Sequence, residues 1–352
     1  MKLLKSKIVA IALFALAIFL ANPAIASVTS FHKENDGVLF KLDKGLMKVK
    51  VCKDNMVEVK YTIFNTFPKK KSLVVVNQWK TQPKFTVSQT KNDVVITTGN
   101  LIIRVNKNNN GIEYSNLQGH VILRENGAQG TTMMPATIDG IHTYNCSTEF
   151  DSPANEALYG LGCHPTDTLS INYKGRNQTL AIMYMTGAIP VLLSNKGYGL
   201  MWDNYSASKY YGKLDNNTKY KYVSESGKMV DYYFMYGPSF DRIIAAYRTA
   251  TGEAPMFPKW AFGLFQSQDR YKSQAEVLSV KDKYRDNHIP VDCIVQDWYY
   301  WQPDHIGSNV MWPARYPNPK KMIDELHNAH IHAMISIWPV FGKGTANYRA
   351  ML

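Results

Sequence analysis

The chain has 352 residues, 45% of them hydrophobic and 19% charged, with a formal net charge of +12. That length allows two domains of ordinary size. The lysines are scattered through strand-like segments and loops such as Lys69-Lys70-Lys71, with no zinc-finger spacing, RNA-binding signature or basic helix, so the charge is a solvated basic face and not a nucleic-acid groove.

The first element is a targeting segment. Lys2, Lys5 and Lys7 precede an apolar run from Ile8 to Ala21, and Ala24-Ile25-Ala26 then offers small residues for cleavage. This is the three-part pattern of a secretory signal peptide. The apolar run is short for a membrane span, which takes ~20 residues. We therefore expect cleavage after Ala26, an exported protein in the periplasm or outside the cell, and no membrane span thereafter.

Residues 27–255 read as β-structure. Val57, Val59 and Tyr61 alternate with Glu58 and Lys60, predicting one apolar and one polar face. Similar runs recur at Met47–Val51, Lys84–Val87, Val94–Thr98 and Leu101–Val105, separated by turn signals such as Asn108-Asn109-Asn110-Gly111. Many short strands joined by turns predict a β-sandwich. Ile243–Tyr247 reads as a short helix before Pro255 and Pro258 mark a boundary.

Residues 256–352 alternate strand and helix. Strands are expected at Ala261–Phe265, Val291–Val295 and His332–Trp338. Between the first two, Ser273 and Glu276 form a capping box, with Val277, Val280 and Tyr284 on one helical face. Between the second and third, Asn318-Pro319 supplies an N-cap followed by Pro at the first helical position, and Met322, Ile323 and Leu326 make the apolar stripe. Near-continuous apolar strands joined by helices predict a parallel sheet. A whole barrel of this kind takes ~250 residues, so the segment is expected to hold three of eight units. A third strand left as an apolar edge is an aggregation hazard; the expectation is a fragment or truncated product, ahead of one that packs with another chain.

Four cysteines, Cys52, Cys146, Cys163 and Cys293, lack Cys-x-x-Cys or zinc spacing. An exported chain permits disulfides, and at most one bridge is expected. His327, His330 and His332 straddle a helix end and a strand start and do not share a face. They read as structural, with cationic residues suiting a helix C-terminus. No metal site or cofactor is expected.

Barrel active sites form at the C-terminal ends of the strands. Here those ends are Phe265–Arg270, Gln296–Trp301 and Trp338–Phe341. A carboxylate beside dense aromatics provides ring faces for a sugar to stack on and an acceptor for its hydroxyls, which singles out Asp297 and the aromatics that follow it. Asp292 stands at the wrong end of its strand, and Asp304 lies in a loop without an identifiable partner.

Several stretches, in order, carry a resemblance: Leu158-Tyr159-Gly160-Leu161-Gly162, Asn172-Tyr173-Lys174-Gly175, Gly197 to Tyr205, Asp231-Tyr232-Tyr233-Phe234, Trp260-Ala261-Phe262-Gly263, Gln296-Asp297-Trp298 and Tyr316 to Ile323. With these the chain resembles the N-terminal part of a glycoside hydrolase family 31 enzyme, the family of α-glucosidases and α-xylosidases, and bacterial α-xylosidases acting on xyloglucan fragments fit best. The resemblance implies a galactose-mutarotase-like β-sandwich before a TIM barrel. It implies that Asp297 binds sugar hydroxyls, that Trp298 lines the pocket wall and that Trp338 lines the same subsite. Cys163-His164-Pro165 departs from the family, which more often has Gln or Glu there.

Retaining glycosidases need two carboxyl groups ~5–5.5 Å apart. The resemblance implies two aspartates on later strands, so no catalytic residue is assigned in this chain. The complete enzyme is expected to remove terminal α-linked xylose or glucose from oligosaccharides with retention; this chain alone is expected to be inactive. Its partner is an oligosaccharide substrate, with no nucleic acid; the oligomeric state is left open. The alternatives are a non-catalytic carbohydrate-binding β-sandwich and another barrel enzyme such as an isomerase or lyase.

Overall fold

The computed structural model describes residues 27–352 except 82, 127–129, 166–169 and 183–185. The expected signal segment, residues 1–26, lies outside the described residues. Two compact units divide between Glu253 and Ala254.

In the first unit, the sandwich is built from one eight-stranded and two five-stranded antiparallel sheets. The eight-stranded sheet begins with four consecutive strands, Val28–Glu34, Gly37–Leu42, Leu46–Lys53 and Met56–Thr62. The last strand of the unit, Val230–Tyr236, then pairs with Met56–Thr62, Val230 opposite Tyr61 and Phe234 opposite Val57. One five-stranded sheet runs in simple sequence from Thr86–Gln89 to Val121–Arg124. The other is centred on Ile141–Asp151 and Lys219–Gly227. An antiparallel bridge between Glu125 and Phe150 joins the two.

All three sheets face one core. Val57, Val59 and Phe234 meet Val94, Ile96 and Leu101 from one small sheet and Phe150, Tyr220 and Tyr222 from the other. Aromatic rings tie the layers: Tyr114 stacks on Phe234 at 3.9 Å, and Phe150 meets Tyr232 edge-on at 5.6 Å. Burying a side chain of this size contributes about 1.5–3 kcal/mol. The phenol oxygens inside need partners. Tyr232 donates to Glu125 and is bonded to Tyr114, while Tyr198 donates to Glu156 at 2.7 Å and is bonded to Tyr220 at 2.9 Å.

The alternation at Val57–Tyr61 places the apolar residues as predicted, but its polar face is only partly solvated. Glu58 is only 4% exposed. The helix Phe240–Thr251, capped by Ser239, packs Ile243, Ala246 and Ala250 against Met56, Met201 and Met235 on that outer face. Strand period therefore identified the two faces correctly, whereas the tertiary structure decided that Glu58 on the polar face is buried while Lys60 beside it keeps 27% of its side chain exposed.

The stretch Tyr159-Gly160-Leu161-Gly162 has a backbone reason for its glycines. Pairing between Leu158–Cys163 and Gly187–Ser194 slips register between Gly160 and Gly162. Gly162 has φ +100, and a Cβ there would lie 1.8 Å from the Gly187 carbonyl oxygen. The bulge turns Leu161 fully into the core.

The second unit contains a three-stranded parallel sheet, Phe265–Gln266, Cys293–Gln296 and His332–Ile335, with helices Gln274–Asp286 and Pro319–Asn328 between them. A further helix covers Ala346–Met351. Both helix starts form as the sequence predicts. Ser273 Oγ accepts from the Glu276 amide at 3.2 Å, Glu276 accepts from the Lys272 amide at 2.6 Å, and Asn318 Oδ1 accepts from the Lys321 amide at 2.9 Å. The core holds Val277, Ile294, Met322, Leu326 and Ile331.

The strands are shorter than expected. Lys259–Phe262 is a 3-10 turn, and pairing begins only at Phe265. Just before that pairing, the Asp292 carboxylate accepts from the Leu264 amide at 3.1 Å, and the Leu264 carbonyl accepts from the Asp292 amide at 2.9 Å. The Asp292 carboxylate sits so close to Gly263 that a Cβ there would be 2.0 Å away. The second strand starts after Asp292, at Cys293, and the third ends at Ile335. In the sandwich, the strand expected from Lys84 begins at Thr86. The four cysteines are free thiols, with Cys52, Cys146 and Cys293 buried and Cys163 exposed. No helix among the described residues is long and apolar enough to cross a membrane.

Candidate functional site

The parallel strands deliver three chain segments to one end of their sheet, and Trp298 is where the three meet. From the first strand end, Asp269 Oδ1 accepts the indole N–H of Trp298 at 3.1 Å, and the Arg270 guanidinium lies 4.6 Å from the Trp298 ring. From the third, Trp338 stacks on Trp298 at 5.8 Å with planes 30° apart. Asp297 precedes Trp298 on the second strand end and accepts its backbone N–H at 2.7 Å through Oδ1. Asp297, Trp298 and Trp338 are thus brought together. Trp338 is anchored by donating to Ser336 Oγ at 3.1 Å and remains 36% exposed.

The remaining aromatics of the run are used differently. Tyr300 is fully buried and Trp301 is 4% exposed. Tyr300 donates to the Ser336 carbonyl at 3.1 Å, and burial pushes its phenol up, keeping it a neutral donor. Trp301 packs edge-on against Tyr300 at 4.9 Å and Trp338 at 6.1 Å. Tyr299 is flanked by guanidinium groups, Arg315 at 3.8 Å and Arg270 at 4.8 Å. Of the four aromatics after Asp297, therefore, packing claims Tyr300 and Trp301, cation–π contacts claim Tyr299, and Trp298 is the one stacked on exposed Trp338.

The first strand end is held from behind. Gln266 accepts from Tyr284 at 2.5 Å and donates to Tyr271 at 3.2 Å, and Gln268 donates to Glu276 at 3.2 Å. Gln296 is buried and donates to the Tyr271 carbonyl at 3.3 Å, while its Oε1 has no hydrogen-bond partner among the described residues. Arg315 is the neighbour of the site that sequence reasoning missed, and Asp269 and Arg270 were seen only as part of a strand end. Arg315 lies sixteen positions beyond Tyr299, just before Tyr316-Pro317-Asn318-Pro319. No periodicity links those positions; the clue available was the location of Asp269 and Arg270 at a strand end.

The histidines take structural places. His332 stacks on Trp260 at 3.9 Å, and His327 lies 6.2 Å from His332 ring to ring. Among the described residues no group of three His, Cys, Asp or Glu is arranged to hold a metal ion. Asp292 serves the start of the first strand, as above.

A large antiparallel sandwich thus precedes parallel strand–helix units that bring a carboxylate and stacked tryptophans to their strand ends. Residues 254–352 match the glycosyl hydrolases family 31 TIM-barrel domain, and residues 46–210 match the glycosyl hydrolase 31 N-terminal galactose mutarotase-like domain. The chain belongs to glycoside hydrolase family 31.

It is similar to an α-xylosidase of Saccharolobus solfataricus, 37% identical over 72% of this chain and 36% of that protein. It is also similar to an isomaltosyltransferase of Sporosarcina globispora, 28% identical over 69% of this chain and 25% of that protein. Among solved structures, an α-xylosidase from a soil metagenome complexed with xylose superposes with a TM-score of 0.81 at 25% identity, covering 92% of this chain and 49% of that one. The chain thus spans about a third or less of these curated relatives and about half of the solved neighbour.

Proposed function

We propose that this chain supplies the sandwich and the first part of the sugar-binding wall of an exported retaining α-glycosidase. Its substrate is an oligosaccharide with a terminal α-linked xylose or glucose, such as a xyloglucan fragment. One observation carries the reading: Trp298 is fixed by Asp269, Arg270 and Trp338 beside the Asp297 carboxylate at the strand ends. An immobilised indole next to an acceptor suits a sugar ring, which needs an apolar face and a partner for its hydroxyls. The names of the relatives supply the substrate class, and the xylose complex of the solved neighbour favours xylose.

Hydrolysis with retention needs a nucleophile and an acid/base ~5–5.5 Å apart. Asp269 and Asp297 are both engaged in holding Trp298, so in this reading they bind and orient instead of forming that pair. The chain by itself binds sugar without turning it over. The test is a tryptophan-fluorescence titration of the 352-residue chain with xylose and with glucose, alongside an assay with an aryl α-xyloside. Saturable binding that is lost in Asp297→Ala, with no turnover, is the expected result. Absence of binding, or turnover that Asp297→Ala removes, overturns it.

A further inference from the structure

The least comfortable backbone at the site belongs to Tyr299, whose φ is +78. A bulky residue in the left-handed region is a genuine outlier, and such strain persists only where the surroundings over-determine it. Arg315 provides that determination. Its Nη1 donates to the Tyr299 carbonyl at 3.1 Å, its Nη2 donates to the Tyr299 hydroxyl at 2.7 Å, and its guanidinium lies 3.8 Å from the ring. One side chain therefore grips both backbone and phenol of the residue after Trp298. Tyr299 in turn meets Trp298 edge-on at 5.2 Å.

We propose that Arg315 is a positioning residue for sugar recognition: by holding Tyr299 in its left-handed conformation it aims Trp298 at Trp338 and fixes Asp297 at the mouth of the strands. The inference rests on the sugar-site reading above. Arg315 also lies 5.0 Å from the Trp312 ring, and its route to the tryptophan pair runs through Tyr299. The planar fork matters as well as the charge, because lysine offers a point charge without a paired set of donors. Releasing Tyr299 allows it to relax towards negative φ, which rotates the following and preceding peptides and separates the two tryptophans.

The Trp298–Trp338 stack gives a spectroscopic readout independent of any sugar. The test compares the near-ultraviolet circular dichroism and the xylose affinity of the full chain with those of Arg315→Lys, Arg315→Met and Tyr299→Phe. Tyr299→Phe keeps the ring and the carbonyl contact and removes only the hydroxyl. The expected result is a tryptophan band strongly reduced in Arg315→Met and Arg315→Lys and largely kept in Tyr299→Phe. Xylose affinity should fall about tenfold or more in the two Arg315 variants, the scale set by losing a charge-assisted hydrogen bond, while far-ultraviolet dichroism stays unchanged. An Arg315→Met chain that is folded and retains both band and affinity overturns the proposal. A wild-type chain whose band depends on Arg315 but which binds no xylose overturns the sugar-site reading and upholds the clamp.

Discussion

The indole N–H of Trp298 donates to the carboxylate of Asp269 at 3.1 Å, joining the end of one parallel strand to the end of the next. Asp269 is 79% exposed in its side chain, so this bond does little for stability; exposed charged contacts are worth about 0–1 kcal/mol. Its effect is orientation. Asp269→Ala should leave the urea midpoint nearly unchanged but make Trp298 more accessible to acrylamide quenching and weaken xylose binding several-fold. Asp269→Asn keeps an acceptor oxygen and should retain most of the affinity. Equal losses in the two variants would point to charge instead of orientation.

Glu125 gives the sandwich a pH dependence. It is 6% exposed and accepts from Tyr232, and burial pushes its carboxyl up from 4.5 to about 7 against the opposing hydrogen bonds. A carboxyl with a raised folded value binds its proton more tightly when folded. Its contribution is full below the unfolded value and is lost as pH rises through the folded one. Stability should therefore decline between about pH 4.5 and about pH 7, by on the order of 3 kcal/mol. Glu125→Gln should flatten that slope in denaturation curves taken across the range.

The outer face of the eight-stranded sheet holds a second set of charges, with buried carboxylates and half-buried lysines. Lys60 pairs with Glu58 at 2.7 Å and lies 3.9 Å from Asp231, while Lys70 lies 3.6 Å from Asp231. Neither carboxylate oxygen of Asp203 has a hydrogen-bond partner among the described residues. Burial, and next the Glu58 carboxylate, push Asp231 up despite the two lysines. Asp231→Asn, which mimics the protonated acid, should match the wild type at low pH and exceed it in stability as pH rises. Lys60→Met leaves buried Glu58 without its closest cation and should cost about 3 kcal/mol. Guanidinium denaturation at several pH values checks both.

Gly162 is a test of backbone necessity. With φ +100 and the Gly187 carbonyl oxygen 1.8 Å from the position of an added Cβ, Gly162→Ala must break the pairing of Leu158–Cys163 with Gly187–Ser194. A loss on the order of 3 kcal/mol is expected, read as a lower denaturation midpoint. Gly140→Ala is the control, since its φ is +79 but nothing lies within 4 Å of its added Cβ, and it should cost no more than about 1–2 kcal/mol.

Much of this architecture could be read along the chain because its signals are local. The strand period at Val94–Thr98 and Leu101–Val105, the Ser273–Glu276 capping box and the Asn318-Pro319 helix start each depend on residues within one or two turns. Strand ends differed where distant groups take part, as the Asp292 carboxylate does beside Gly263 and at the Leu264 amide. The candidate site followed the same division. Asp297 and Trp298 were visible because they are consecutive at a strand end. Arg315 was not, because its grip on Tyr299 arises from folding across sixteen positions.

Sequence by itself determined the class of each half, an antiparallel sandwich and then parallel strand–helix units, because hydrophobic period and caps are short-range properties. It also determined which carboxylate and which indole lie at the second strand end. Only the tertiary structure decided that Glu58 is buried, that Tyr299 to Trp301 are claimed by packing and guanidinium contacts, and that Asp269, Arg270 and Trp338 converge on Trp298. The physical reason is that burial and side-chain pairing depend on which surfaces meet in space, and those surfaces come from segments that no local pattern connects.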